Sequence, residues 1–306
     1  MSDTSLEIQG LRHRTVKANG LTFHVTECGE GDRLALCLHG FPENWISWRY
    51  QIPLLAEMGW RVWAPDMRGY GGSDKPESVD DYAIETLLED VAGLIDASEA
   101  SEVLLIGHDW GGIIAWYFAL RQIRPLSGLV IMNAPHPGAS EKAFRRPIQL
   151  LRSLYALFFQ IPGLPEKWLG ARNAKRVGAA FSRMARHREH FPEAILELYQ
   201  HSALRPGALT GMLNYYRAFL GRGGLDRQRE LGYPEIDVRT LFLWGERDTA
   251  LGRKTSEGAE AFVSNLVLRY IPDASHWVQQ DTPETVNKML GAWLREESVP
   301  EAGNAG

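Results

Sequence analysis

The sequence predicts an α/β protein built on a mostly parallel, doubly wound sheet with helices on both faces and an all-helical segment inserted late in the chain. Three observations carry this. Short apolar runs alternate with helical patterns up to Met132 and again after about Pro234, as parallel strands joined by crossover helices do. Asp109, Gly-flanked in Ile106-Gly107-His108-Asp109-Trp110-Gly111-Gly112, joins one such strand directly to a buried helix. Between Asn133 and roughly Pro234 the alternation stops, over a length too great for a simple crossover.

Taken in order, Leu11 to Ala18 and Leu21 to Cys28 alternate and are separated by Asn19-Gly20, a strong hairpin signal, so the chain opens on two antiparallel strands. Leu34 to Leu38 is continuously apolar, as expected of a strand covered on both faces. It ends in His39-Gly40-Phe41-Pro42. An amphipathic helix is expected around Trp45 to Met58, a strand over Arg61 to Pro65 and a second helix over Tyr82 to Ala97. Val103 to Ile106 reads as a buried strand and Ile113 to Leu120 as a buried helix, which leaves only a very tight turn between them. Leu129 to Met132, Thr240 to Trp244 and Val267 to Ile271 are the remaining strands. The intervening segment reads as helices broken at Pro147, Pro162-Gly163, Pro165, Pro192 and Pro206-Gly207. It is expected to form a cap over residues 135–233, beside a core of residues 1–134 and 234–306.

Composition narrows the function. With 306 residues and a formal net charge of -5, the chain has a large core and no general attraction to nucleic acid or to an anionic membrane. The two cysteines, Cys28 and Cys37, fall in or beside strands and read as small buried apolar residues, not as a disulfide framework. Met1 to Glu7 lacks a basic and an apolar region, and no stretch reaches bilayer length, so a cytoplasmic protein is expected, as a monomer or a homodimer. Arg145, Arg146, Arg172, Lys175, Arg176, Arg183, Arg186 and Arg188 in the inserted segment suit either an acidic ligand or, more commonly, a solvated helix face. His187 and His190 match no zinc spacing, and no dinucleotide fingerprint is present, so neither metal nor cofactor is expected.

The spacing of Gly107, Asp109 and Gly111 reproduces a nucleophile elbow, in which close strand-to-helix packing forces the central side chain out over the sheet. The alternative is that Asp109 merely caps the following helix. A nucleophile needs a base and a group that orients the base. Asp248, in Gly245-Glu246-Arg247-Asp248, and His276, in Ser275-His276-Trp277, each follow a strand directly, which places them at the carboxyl edge where ligands bind in open α/β sheets. His108 is the rival histidine, but it precedes the elbow residue and should project differently.

With these residues in view, the chain resembles an epoxide hydrolase of the α/β-hydrolase superfamily, from His39 to the final helix. His39-Gly40-Phe41-Pro42 is similar to the family's HGxP motif, Gly107 to Gly112 to its nucleophile motif, and Asp248 and His276 to its acid and base. Asn214-Tyr215-Tyr216-Arg217 resembles the N-x-Y-R of the family's cap and points to Tyr216. Tyr155, five residues before Gln160, matches the second cap tyrosine. Without the resemblance both would be read as core aromatics with satisfied hydroxyls. The resemblance implies an eight-stranded α/β-hydrolase fold and an epoxide opened to a vicinal diol, with water as co-substrate.

An aspartate at the elbow suits that reaction. Serine attacking an alkyl carbon would give an ether, whereas a carboxylate gives an ester that water can hydrolyse. In the implied scheme His276 deprotonates that water, Asp248 fixes the imidazole, and the backbone NH groups of Phe41 and Trp110 receive the oxyanion that forms on Asp109. Tyr155 and Tyr216 protonate or hydrogen-bond the leaving alkoxide. A haloalkane dehalogenase is the nearest alternative, since it shares the elbow aspartate followed by Trp110, but Phe41 and the tyrosine pair argue against it. A non-catalytic ligand-binding protein on this fold is the alternative from another class.

Overall fold

A computed structural model describes residues 8–303. Eight strands form one sheet in the order β1-β2-β4-β3-β5-β6-β7-β8: β1 (Arg12–Ala18), β2 (Leu21–Cys28), β3 (Arg33–Leu38), β4 (Arg61–Pro65), β5 (Glu102–His108), β6 (Gly128–Met132), β7 (Thr240–Gly245) and β8 (Leu266–Ile271). β1 pairs antiparallel with β2, and β2 with β4; every other pairing is parallel. This is the sheet that the apolar runs predict. β6 and β7 are buried at every position, and β3 and β5 at all but their first residue, as strands covered on both faces must be. The Asn19-Gly20 hairpin forms with Ala18 opposite Leu21.

Core helices α1 (Gln51–Glu57), α2 (Ile84–Ser98) and α3 (Trp110–Leu120) follow β3, β4 and β5 in the chain. The helix expected around Trp45 to Met58 is interrupted. Asn44 caps a short 3-10 turn, Trp45–Trp48, by accepting from the Ile46 N–H at 2.9 Å, and α1 starts only at Gln51. Pro53 explains the restart: in the first turn its missing N–H costs nothing, whereas inside a continuous helix it would remove a hydrogen bond.

From β6 to β7 the named elements are all helical: α4 (Pro137–Phe144), α5 (Pro147–Arg152), α6 (Leu154–Phe158), α7 (Leu164–Met184, broken at residues 171–174), α8 (Glu193–Ala203), α9 (Ala208–Tyr216) and α10 (Gly224–Glu230). After β8 come α11 (Val278–Asp281) and α12 (Pro283–Leu294). Among the described residues, no helix is long and apolar enough to cross a membrane.

Candidate active site

Asp109 is the single residue between β5 and α3. Its backbone sits at φ 49° and ψ -120°, a conformation that costs an L-residue on the order of 1–3 kcal/mol. Tight packing imposes it: a Cβ on Gly107 would meet the backbone of Gly111, and a Cβ on Gly111 would meet the Leu38 carbonyl. Larger residues at either position would push helix and strand apart. The side chain of Asp109 accepts no hydrogen bond from its own helix, so the capping reading fails. Its Oδ1 instead accepts from the Phe41 N–H at 2.9 Å.

Phe41 follows β3, and the Phe41-Pro42 peptide is cis. His39 pins this loop: its buried ring meets the Gly40 carbonyl through Nδ1 at 3.0 Å and accepts from the Met67 N–H through Nε2 at 3.0 Å. Trp110 is the first residue of α3, so its N–H belongs to the opening turn, where no intrahelical acceptor exists.

The loops after β7 and β8 bring Asp248 and His276 to the same edge. Asp248 Oδ2 accepts from His276 Nδ1 at 2.7 Å, and His276 Nε2 lies 3.4 Å from Asp109 Oδ2. Asp248 is buried and fully engaged: Oδ1 accepts from the N–H groups of Ala250 and Leu251, each at 2.8 Å, and Oδ2 also accepts from Asn133 Nδ2 at 2.8 Å. Burial favours protonation of this carboxyl, but His276 and the donors outweigh it and hold the pKa below the usual value. For His276 burial works toward the neutral ring, yet the carboxylates of Asp248 and Asp109 prevail and raise its pKa well above that of an ordinary histidine.

Asn133, the residue after β6, carries an amide and cannot act as the triad's carboxylate. In the structure it steadies one, since Nδ2 donates to Asp248 while Oδ1 accepts from the Gly245 N–H at 2.8 Å. Glu43 and His108 form a second unanticipated group. Glu43 Oε2 accepts from the Gly40 N–H and pairs with His108 Nδ1, both at 2.7 Å, while His108 Nε2 meets the His276 carbonyl at 2.8 Å. Burial opposes the charge on Glu43, but His108 and the Gly40 N–H hold its pKa at about 2. His108 thus faces the back of the loop that carries His276, away from Asp109.

The inserted helices supply the opposite wall. Tyr155 in α6 and Tyr216 at the end of α9 approach with ring centroids 5.9 Å apart, and Tyr216 packs edge-on against Trp110 and Phe41. Arg217 locks α9 to the turn after α6: its guanidinium donates to the carbonyls of Phe159 and Ile161 and to Glu166 Oε1 at 2.8 Å. Gln160 adds a bond to the Tyr216 carbonyl at 3.2 Å. This is why the arginine beside Tyr216 matters, a role that a motif alone does not state. Burial raises the pKa of both phenols, and the Asp109 carboxylate raises it further, so both stay protonated donors. Tyr155 is 37% exposed because it walls two cavities.

The larger cavity, about 840 Å³, reaches Asp109, His276, Tyr155 and Tyr216 and is otherwise lined largely by apolar side chains such as Phe41, Phe158, Phe159 and Trp168. A smaller one of about 180 Å³ meets it at Asp109, Tyr155 and Tyr216. Among the described residues no His, Cys, Asp and Glu cluster suits a metal ion.

Residues 36–283 match a family model described as alpha/beta hydrolase fold. The chain is 39% identical over 290 residues to Epoxide hydrolase 3 of Xenopus tropicalis, covering 92% of this chain and 77% of that one. The chain belongs to the epoxide hydrolases of the α/β-hydrolase superfamily. It is also 37% identical over 292 residues to the AB hydrolase superfamily protein YfhM of Bacillus subtilis, across 95% of this chain and 100% of the relative. The crystal structure of Bacillus megaterium epoxide hydrolase in complex with an inhibitor superposes with a TM-score of 0.84 at 27% identity, covering 92% of this chain and all of that one. In this epoxide hydrolase the eight strands run in one continuous sheet, and Asp109, Asp248 and His276 all sit at its carboxyl edge.

Proposed function

We propose that the protein hydrolyses an apolar epoxide to a vicinal diol through an ester on Asp109. The observation that carries this is the arrangement around one carboxylate: Asp109, uncapped and half-buried, faces a cavity walled by two phenols, with His276 Nε2 at 3.4 Å. Asp109 attacks an epoxide carbon, the C–O bond breaks, and a phenol of Tyr155 or Tyr216 gives the departing oxygen its proton. Ester formation removes the charge of Asp109, so the His276 pKa falls and its proton can restore the phenol. The neutral imidazole then takes a proton from water, which attacks the ester carbonyl. Oxyanion charge develops on the Asp109 oxygen, where the N–H groups of Phe41 and Trp110 serve as donors. Collapse breaks the ester C–O bond, and the departing alkoxide takes the proton of the new Asp109 carboxylic acid, which releases the diol and returns the Asp109 carboxylate, with Asp248 stabilising the imidazolium meanwhile.

Residues 1–134 and 234–306 serve as the hydrolase core, with 1–7 and 304–306 outside the described residues, and residues 135–233 as the cap that contributes both phenols; the uninterrupted run of helices between β6 and β7 supports that division. The free thiols of Cys28 and Cys37, both buried, suit a reducing cytoplasm. The haloalkane reading shares Asp109 but leaves the phenols without a task, because a departing halide needs no proton. Turnover of a panel of aryl and alkyl epoxides beside haloalkanes tests the assignment. Diol from the epoxides and little halide from the haloalkanes is expected, and the reverse would replace it.

A further inference from the structure

The inserted helices expose large apolar side chains on the same segments that line the larger cavity. Ile148, Leu151 and Leu157 of α5 and α6 are 65%, 67% and 63% exposed, and Leu164 and Trp168 at the start of α7 are 51% and 46% exposed. Leu164 and Trp168 also line the cavity, so these two side chains meet both the outside and the cavity. Exposed apolar groups clustered in this way mark an interaction surface.

Charge indicates what covers it. Residues 142–188 contain eleven Lys or Arg and one acid, Glu166, within a chain whose 33 basic and 38 acidic side chains sum to -5. Glu166 is already paired with Arg217 at 2.8 Å. Arg145, Arg146, Arg152, Lys167 and Lys175 have no carboxylate within 4.0 Å among the described residues. Arg176 lies over the Trp168 ring at 4.7 Å, so cation and aromatic share the cavity wall. Basic side chains around an apolar face are what binds at a lipid interface. A second copy of this chain fits poorly, since a two-fold contact would set these like charges against each other.

We propose that this face docks on an anionic lipid surface and turns the cavity mouth toward it. The acid excess elsewhere in the chain is repelled by the same surface, which fixes the orientation. The net charge that argues against membrane contact is a sum over a basic segment and an acidic remainder of the chain. Docking stands independently of the reaction. Its use rests on the epoxide reading: an apolar epoxide dissolved in lipid would enter the cavity with little passage through water.

Co-sedimentation of the full chain tests this, with vesicles of phosphatidylcholine alone and of phosphatidylcholine mixed with phosphatidylglycerol, at low and high salt. Binding to the mixed vesicles only, weakened by salt, is expected. Arg145→Gln with Arg146→Gln should weaken it by roughly tenfold or more, at about fivefold per charge. Ile148→Ser, Leu151→Ser and Leu157→Ser together should weaken it as well. These five positions line neither cavity, so both variants should keep wild-type turnover of a water-soluble epoxide. Equal binding to both vesicles, binding to neither, or indifference to these substitutions would overturn the proposal. So would conversion of a wild-type dimer to a monomer by the triple serine variant, which would make the face a self-contact. Lost docking with epoxide turnover intact leaves the enzyme reading standing, and docking without epoxide turnover sinks only that reading.

Discussion

His276 faces Asp109 with Nε2 3.4 Å from Oδ2, so the proposed base is held against the carboxylate whose ester it must later hydrolyse. The charge of Asp109 is therefore part of what sets the protonation of His276. Burial alone would keep the ring neutral, and the carboxylates of Asp248 and Asp109 reverse that. An NMR titration should find the His276 pKa above the ordinary value in the resting enzyme and lower in Asp109→Asn, which has the neutrality of the ester. An unchanged pKa in that variant would remove the coupling. Turnover should fall as pH drops through the His276 pKa of the ester intermediate, because a protonated imidazole takes no proton from water. A flat acid limb would contradict this.

Replacing His276 should separate the two halves of the reaction. Attack on the epoxide uses Asp109 as it stands, but hydrolysis needs activated water. His276→Gln incubated with a reactive epoxide should therefore accumulate an adduct equal in mass to the epoxide, read by intact-mass spectrometry and mapped to Asp109. A variant that stayed unmodified would count against the ester mechanism.

Glu43 predicts a loss of stability. Its carboxylate serves the Gly40 N–H, His108 and the side-chain amides of Gln279 and Gln280, all in the interior. Removing one partner from such a buried charged group costs about 3–5 kcal/mol, so Glu43→Ala should unfold at markedly lower denaturant. Because its folded pKa is about 2 against an ordinary 4.5, its contribution is present above the ordinary value and is lost as pH falls through the folded one. A denaturation midpoint unchanged by Glu43→Ala at pH 7, or an acid-unfolding curve that the substitution leaves unaltered, would refute this account.

The contrast between Asp109 and Glu43 shows what a sequence displays. Asp109, Asp248 and His276 each follow an apolar strand within a few residues, and the carboxyl ends of parallel strands share one edge of the sheet, so their meeting could be read from order alone. The buried strands announced themselves in the same way, by unbroken apolar runs. Glu43 shows no such periodicity: His108 and Gln279, its partners, lie 65 and 236 residues away. Asn133 has no charge to mark it in the sequence, yet its amide donates to Asp248. Pro53 marks the restart of the helix at Gln51, so the expected helix from Trp45 to Met58 is longer than the one that forms.

The last prediction concerns Tyr155 and Tyr216, whose phenols have a task only if the leaving group is an oxygen. Their rings lie 5.9 Å apart at the wall that meets Asp109, and burial with the Asp109 charge keeps both protonated. Either can therefore serve an epoxide oxygen. Losing one phenol leaves the other donor in place, whereas losing both removes the acid assistance, typically about 10²- to 10⁴-fold. Tyr155→Phe and Tyr216→Phe should each slow alkylation of Asp109 modestly, and the double variant by more than the product of the two. Pre-steady-state alkylation, on variants whose unfolding matches the wild type, measures this. Arg217→Ala supplies the control for position: it keeps both phenols but releases α9 from the Phe159 and Ile161 carbonyls, so it should slow alkylation with no loss of a donor. A double variant that opens epoxides at the wild-type rate would strip the phenols of their role.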